Sequence, residues 1–278
     1  MKFQFLGTCA AEGFPALWCD CDNCKKARAI GGRAMRSRSQ AIIDDCLLID
    51  FPCDTLVHTY QNGIDLLNVH HCLVTHSHSD HLYVNDVGMI TPGFSHLPEG
   101  YKLTFHGSEK MAEKLLPTVN SIRERHDIVA FEALECFRPA DIGGYTVTAL
   151  PAIHDVNAGP VFYQITAPDG KTALYGHDTH YFHEDVWNWW RDTKPHFDLV
   201  SLDCTNACLP LTYVGHMGLA ENVKVRARML ELGIADENTK FICNHFSHNG
   251  IHAVYDEFLP IAARESFDVS YDGKIVEV

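Results

Sequence analysis

Five short apolar segments of the sequence each end in a histidine or an aspartate. A short, uncharged apolar run predicts a buried β-strand. The residues that follow these runs are Asp50, His76, Asp178, Asp203 and His245. If the strands end at one edge of a layered sheet, their terminal side chains surround a single cleft, where ligands commonly bind. Helical segments alternate with the strands, so the pattern predicts an α/β or layered α+β fold around one polar site.

The most informative local pattern is the segment Thr75–His81, in which His76, His78, Asp80 and His81 form an H-x-H-x-D-H string. Four side chains of the types that bind metals fall within six residues, directly after a predicted strand. Histidine is the commonest metal ligand in proteins. Mixed nitrogen and oxygen ligands suit zinc, manganese or iron better than magnesium or calcium. The string therefore predicts a metal site, with zinc as the first choice and manganese as the main alternative.

A second cluster consists of Cys19, Cys21 and Cys24, in a C-x-C-x-x-C spacing. Reduced cysteines so spaced usually bind metal or take part in redox chemistry. A tetrahedral zinc site needs a fourth ligand beside three thiolates. The nearest candidate by motif is His248, three residues after His245. The remaining cysteines lie mostly in apolar runs, and we expect no disulfide framework.

Charge and length limit the partners of this chain. The net charge of −14 over 278 residues disfavours nucleic-acid backbones, whose binding depends on lysine and arginine. Four arginines lie close together in the sequence: Arg28, Arg33, Arg36 and Arg38. We expect a solvated surface loop there, with contact to a small anion as the alternative.

No apolar run approaches the ~20 residues that span a bilayer. The first residues predict a β-strand rather than a secretory signal, so we expect a cytoplasmic protein with no membrane partner.

The H-x-H-x-D-H string resembles the signature of the metallo-β-lactamase superfamily. Asp50 precedes it, and His154, Asp178 and His245 follow in the order that the superfamily shows. The resemblance implies a four-layer αββα sandwich that forms a single domain over residues 1–278.

The resemblance also implies two adjacent metal sites. His76, His78 and His154 would bind one ion, and Asp80, His81 and His245 the other. Asp178 would bridge the two ions, because a carboxylate has two oxygens to share. Asp50 would orient a ligand histidine. Whether His177 or His180, which flank Asp178, assists the site stays open.

Within this superfamily, the sequence resembles the cyclic phosphodiesterase (PhnP-like) branch. The segments that carry the resemblance are Leu6–Thr8, the cysteine cluster and Arg36–Ser39. It implies a zinc-knuckle insertion at residues 17–30, in which Cys19, Cys21, Cys24 and His248 bind one structural zinc ion. It further implies that a hydroxide bridging two catalytic ions cleaves a small or cyclic phosphodiester. His216 would contact the phosphate and act as general acid, and Asp80 would be a ligand that could also transfer protons.

Three other functions are compatible with the same metal ligands. A tRNase Z-like nuclease shares the site, although the acidic charge counts against it. A hydrolase of acyl or thioester substrates is the second alternative. The third is a PqqB-like protein of cofactor biosynthesis, which would also carry a cysteine-rich knuckle. By analogy with similar enzymes, we expect a homodimer.

Overall fold

The computed structural model describes residues 1–210 and 215–278, and in these residues fourteen strands form two seven-stranded sheets. The strands are β1 (Lys2–Gly7), β2 (Gln40–Ile43), β3 (Leu47–Ile49), β4 (His71–Leu73), β5 (Leu103–Gly107), β6 (Val129–Ala133), β7 (Ala140–Ile142), β8 (Tyr145–Pro151), β9 (Val161–Thr166), β10 (Thr172–Gly176), β11 (Leu199–Asp203), β12 (Lys240–Asn244), β13 (Asp268–Val269) and β14 (Ile275–Glu277). The α-helices are α1 (Asp22–Ile30), α2 (Thr55–Asn62), α3 (Val84–Val87), α4 (Glu109–Arg123), α5 (Glu184–Thr193), α6 (Leu219–Glu231) and α7 (Tyr255–Arg264).

The first sheet has the order β14-β1-β2-β3-β4-β5-β6, and the second has the order β13-β12-β11-β10-β9-β8-β7. Strands β3 to β6 are parallel to one another, and so are β10 to β13. Parallel neighbours end at the same edge of a sheet. The parallel half of each sheet therefore brings several strand ends, and the residues that follow them, to one side of the molecule.

Alternating side chains on the strands separate three apolar layers. Phe3 and Phe5 on β1 pack with Tyr175 on β10 between the two sheets. The intervening Leu174 on β10 faces a second cluster, which lies under α5, α6 and α7. A third cluster packs α4 against the outer face of the first sheet. This alternation is the period-two pattern of a strand buried on both faces. The predicted four-layer αββα sandwich is confirmed.

The apolar runs of the whole sequence predict ten strands, and the structure has all ten within two residues of the predicted limits; they are β1, β3, β4, β5, β8, β9, β10, β11, β12 and β14. The sequence pattern missed β2, β6, β7 and β13. Of these, β13 has only two residues, and β6 is half exposed and carries Glu132, so neither has a clear apolar pattern. The sequence pattern also missed α1, which begins inside the cysteine cluster. There, the Sγ atom of Cys21 accepts a hydrogen bond from the backbone N–H of Cys24 and caps the helix.

The expectation of a solvated arginine loop is wrong for Arg36. This side chain is buried, with 4% of its surface exposed, and its Nη1 atom donates to Thr8 Oγ1 and to the carbonyl of Ser270, both at 2.8 Å. Its guanidinium group lies 4.2 Å from the centre of the Phe246 ring. Stacking on an aromatic face lets arginine leave water at lower cost, since its planar group is weakly hydrated.

In the described part of the chain, no helix has the length and apolar character needed to cross a bilayer.

Trp190→Ala should lower the free energy of unfolding by about 3–5 kcal/mol, because it leaves a cavity in the core beneath α5. Trp190 has 0% of its surface exposed, and its Nε1 atom donates to Gln164 Oε1 on β9 at 3.0 Å. Urea denaturation would measure the change. Trp18→Ala is the matched control: Trp18 is 97% exposed, and its removal should change stability by less than about 0.5 kcal/mol. Equal urea midpoints for the two variants would contradict this packing.

Candidate metal centre

The side chains that follow the parallel strands converge at one edge of the sandwich, as the strand pattern predicted. Asp50 follows β3, Asp178 follows β10 and His245 follows β12. These three residues have left-handed backbone conformations, with φ values of 66°, 50° and 60°. Such conformations cost non-glycine residues on the order of 1–3 kcal/mol and cluster at functional sites. At each of these positions the chain turns sharply at the strand end, where the side chains meet.

The first predicted ligand group, His76, His78 and His154, is brought together by the fold. The Nε2 atom of His76 lies 3.0 Å from Nδ1 of His78, and Nε2 of His154 lies 3.3 Å from the same atom. His76 is completely buried, and burial lowers its pKa well below the usual range. A neutral imidazole keeps the lone pair that a metal ion needs. These three residues could hold one cation.

The second predicted group, Asp80, His81 and His245, lies directly beside the first. The Nε2 atom of His81 is 3.2 Å from Asp80 Oδ2. All three side chains are buried, and ligand atoms of the three lie within 4.8 Å of one another. The group could hold a second cation with two nitrogen ligands and one oxygen ligand.

Asp178 lies between the two groups. Its Oδ2 atom is 2.7 Å from His81 Nε2 and 2.9 Å from His245 Nε2, whereas Oδ1 is 3.7 Å from His154 Nε2. Burial would raise the pKa of Asp178, but the imidazoles of His245 and His81 hold it well below its usual value. The carboxylate is therefore placed to contact both groups, one through each oxygen.

The donor atoms at the middle of the site fit a bound cation. His81 Nε2, His245 Nε2 and Asp178 Oδ2 are buried and have no hydrogen-bond partner among the described residues. Buried polar atoms in native proteins almost always have a partner, and exceptions often mark an ion. Imidazole nitrogen and carboxylate oxygen together match the preferences of zinc and manganese.

Hydrogen bonds outside the two groups hold the imidazoles in place. Asp50 Oδ2 is 2.7 Å from His81 Nδ1, and Asp50 Oδ1 accepts from the backbone N–H of Thr75 at 2.8 Å. Thr205 Oγ1 is 2.9 Å from His245 Nδ1. Such contacts fix ring orientation and increase the basicity of a ligand histidine. Asp50 has the predicted position, whereas the role of Thr205 was not predicted, because a threonine two residues past a strand carries no distinctive signal.

His216 lies at the margin of the site and is paired with Asp203. Its Nδ1 atom is 2.9 Å from Asp203 Oδ2 and 3.6 Å from Asp178 Oδ1. Burial would lower the pKa of His216, but the carboxylate of Asp203 raises it to about 9. Asp203 is itself buried and accepts hydrogen bonds from the backbone N–H groups of Asp178 and Thr205, both at 3.0 Å. Its sequence signal was its position at the end of β11.

His177 belongs to neither ligand group, although it is adjacent to Asp178 in sequence and its ring stacks on that of His245 with ring centres 6.1 Å apart. It has 0% of its surface exposed, and its Nε2 atom lies 2.8 Å from Ser201 Oγ. The backbone N–H of His180 donates to the carbonyl of Ile153 at 3.1 Å. Neither histidine lines the cavity beside the two ligand groups. The His177 ring packs against the ring of Tyr175 on β10, with ring centres 3.9 Å apart, outside the lining of this cavity.

A cavity of about 290 Å³ opens beside the two groups and is bordered by His78, His154 and His216. Four of its other polar lining residues were not singled out by the sequence patterns: Glu12, Asn206, Ser247 and Asn249. They come from the loops after β1, β11 and β12. Such loop residues have no fixed spacing in sequence, so only the fold reveals their proximity.

The cysteine cluster is also assembled as predicted. Ligand atoms of Cys19, Cys21, Cys24 and His248 lie within 4.8 Å of one another. The Nδ1 atom of His248 is 3.4 Å from Cys19 Sγ and 3.5 Å from Cys21 Sγ. Burial opposes ionisation of Cys21, but the backbone N–H of Cys24 and the His248 ring lower the pKa of Cys21 to about 6. Burial raises the pKa of the Cys24 thiol to about 12. Three sulfurs and one imidazole nitrogen fit a closed tetrahedral zinc site.

Comparison with known proteins agrees with this geometry. The family described as "Beta-lactamase superfamily domain" matches residues 50–231. A crystal structure of a diphosphatase from the PhnP family has a TM-score of 0.74 and 19% identity, covering 100% of this chain and 97% of that chain. Zn²⁺-bound PqqB from Methylobacterium extorquens has a TM-score of 0.69 and 16% identity, covering 100% of both chains.

Human tRNase Z, short form, has a TM-score of 0.66 and 14% identity, covering 100% of this chain and 99% of that chain. No curated protein matches the chain by sequence. At identities this low, the three structures share the fold with this chain, and fold alone does not define a reaction.

Cys21→Ser should remove the zinc ion that we expect at the cysteine cluster, because three ligands bind zinc more weakly than four. Elemental analysis after dialysis against a weak chelator should find one zinc ion per chain fewer than in the unchanged protein, and thermal unfolding should occur at a lower temperature. Cys136→Ser is the control, since Cys136 is exposed and is not one of the clustered cysteines. Equal zinc content in both variants would disprove the site.

Proposed function

Because this chain belongs to the beta-lactamase superfamily, a group of metal-dependent hydrolases, we propose that it hydrolyses small or cyclic phosphodiesters with two bound divalent cations. The observation that carries the proposal is the position of Asp178. One of its oxygens faces His81 and His245, and the other faces His154. A carboxylate shared in this way suits a two-metal centre.

In the proposed centre, one cation is held by the first ligand group and the other by the second. The members are His76, His78 and His154 in the first group, Asp80, His81 and His245 in the second, and Asp178 in both. When bound, a pair of divalent cations acidifies water and neutralises charge that develops on phosphoryl oxygens. Zinc is our first choice of metal, and manganese is the alternative. The cluster of Cys19, Cys21, Cys24 and His248 would hold a separate zinc ion with a structural role.

His216 is proposed to contact the phosphate and to protonate the leaving oxygen. It borders the same cavity as both ligand groups. Asp203 contacts its Nδ1 atom at 2.9 Å and thereby fixes the ring, so a proton for the substrate would come from Nε2. General acids of this kind contribute about 10²–10⁴-fold to a rate. Asp80 also borders the cavity, and we propose it as a metal ligand that can in addition accept a proton from the attacking water.

The dimensions and charge of the protein favour a small substrate. The cavity of about 290 Å³ is at the lower limit of ligand pockets. The net charge of −14 opposes long polyanions. These two properties support a small phosphodiester over a transfer RNA, although tRNase Z has a similar fold.

Purified protein supplied with zinc or manganese should hydrolyse bis(p-nitrophenyl) phosphate and a cyclic nucleotide, and should not hydrolyse a thioester. Asp178→Ala should abolish both reactions, because the second group would lose a ligand that also serves the first. Elemental analysis should then find fewer metal ions per chain than in the unchanged protein. Turnover of the thioester without turnover of either phosphodiester would instead favour the acyl-hydrolase alternative.

His216→Ala should retain the metals and lose about 100-fold in turnover of a cyclic nucleotide, because an alkoxide leaving group needs a proton. The loss for bis(p-nitrophenyl) phosphate should be smaller, since p-nitrophenolate leaves without one. Steady-state kinetics with both substrates would measure the difference. His96→Ala, which changes an exposed histidine away from the cavity, should resemble the unchanged protein. Equal losses on both substrates would exclude His216 as the general acid.

A further inference from the structure

The active-site cavity contains a carboxylate that the proposed reaction does not use. Glu12, in the loop after β1, borders the cavity together with His78 and His216. Its side chain is 32% exposed, so it is accessible to a bound molecule. Its Oε1 atom accepts a hydrogen bond from Ser247 Oγ and lies 3.8 Å from His248 Nε2. Both partners follow β12, so the segment after β12 fixes the position of the carboxylate.

Asn206, in the loop after β11, borders the same cavity with an unused donor. Its side-chain nitrogen Nδ2 is buried and has no hydrogen-bond partner among residues 1–210 and 215–278. The backbone N–H of Asn206 donates to the carbonyl of Met217 at 3.1 Å, which holds the loop in place. A buried donor without a partner costs about 1–3 kcal/mol, so a small shift of this side chain that lets Nδ2 donate to a bound molecule would be favoured.

The charged side chains of the cavity indicate which substrates fit beside Glu12. Among the described residues that border it, none is a lysine or an arginine. The four residues outside the described part, 211–214, have the sequence Leu-Thr-Tyr-Val and contain none either. The proposed cations would attract one phosphoryl group. His216, which is paired with Asp203, is proposed to contact that same phosphoryl group. A second anionic group near Glu12 would then meet a carboxylate with no lysine or arginine to offset the repulsion.

We propose that Glu12 and Asn206 form a subsite for a hydroxyl group on the alcohol portion of a phosphodiester with a single negative charge. This inference rests on the proposed function and defines its substrate class as esters of polyols or sugars. A hydroxyl group both donates and accepts hydrogen bonds, whereas an ammonium group only donates and a phosphate group only accepts. Glu12 supplies the acceptor and Asn206 the donor, so the pair is complementary to a hydroxyl group.

Three p-nitrophenyl phosphodiesters test the subsite, because they share a leaving group and a reacting phosphate. Their second alcohols are glycerol, ethanolamine and ethanol. With zinc or manganese, the unchanged protein should show a kcat/KM about 10-fold higher for the glycerol ester than for the ethyl ester, the effect expected of one hydrogen bond to a charged group. In Glu12→Ala this ratio should fall towards 1, and in Glu12→Gln, which keeps the shape and a weaker acceptor, it should be intermediate. Asn206→Ala should also lower it.

The control variant is Glu99→Gln, which removes an exposed carboxylate away from the cavity and should keep the full ratio. A merely structural role of Glu12 would lower kcat/KM for all three esters equally and leave the ratio unchanged, which would overturn the subsite. Preference for the ethanolamine ester that disappears in Glu12→Ala would overturn the hydroxyl assignment in favour of an ammonium group. Equal hydrolysis of all three esters by the unchanged protein would overturn the subsite alone, whereas no hydrolysis of any would overturn the phosphodiesterase proposal with it.

Discussion

The site depends on the contact of one buried carboxylate with imidazoles from separate parts of the chain. Asp178 lies within 3 Å of His81 and His245, which are 164 residues apart in sequence (245 − 81 = 164). A buried carboxylate is costly unless positive charge or hydrogen bonds compensate it. Here the imidazoles of His245 and His81 hold the pKa of Asp178 well below its usual value, and a bound cation would add to this compensation. This requirement explains why so many residues of ligand type are held together at this edge of the sandwich.

The two sheets provide the means of convergence. Parallel strands in both sheets end on the same side, and left-handed backbone conformations at Asp50, Asp178 and His245 turn the chain there. The apolar layer between the sheets fixes the distance between the two sets of strand ends. Strain at these turns is tolerable because the buried strands on one side of each turn are stabilised by packing and by ladder hydrogen bonds. The candidate metal ligands thus depend on the core for their geometry.

The N-terminal segment joins the cysteine cluster to the catalytic cavity. His248 faces the cysteines through Nδ1 and Glu12 through Nε2, while Ser247 beside it holds Glu12. A change at the cysteine cluster would therefore reach a residue that borders the cavity. Through these contacts, a change at the cysteine cluster would alter the position of Glu12 at the cavity, in addition to its expected effect on stability.

The sequence by itself determined most of the scaffold and pointed to two groups of candidate metal ligands. Apolar runs predicted ten strands, five of which lead into a His or Asp of the site, and the close spacing within the segments around His76 and Cys21 identified both clusters of candidate ligands, because local spacing survives in any fold. Only the tertiary structure decided the rest. It placed Asp203 beside the ring of His216 and Thr205 beside the ring of His245. It buried Arg36 against Phe246 and placed His177 beside Ser201, outside the cavity lining. It also brought Glu12 and Asn206 to one cavity. These contacts join residues far apart in sequence, and long-range contacts arise from packing of whole sheets, which no local pattern records.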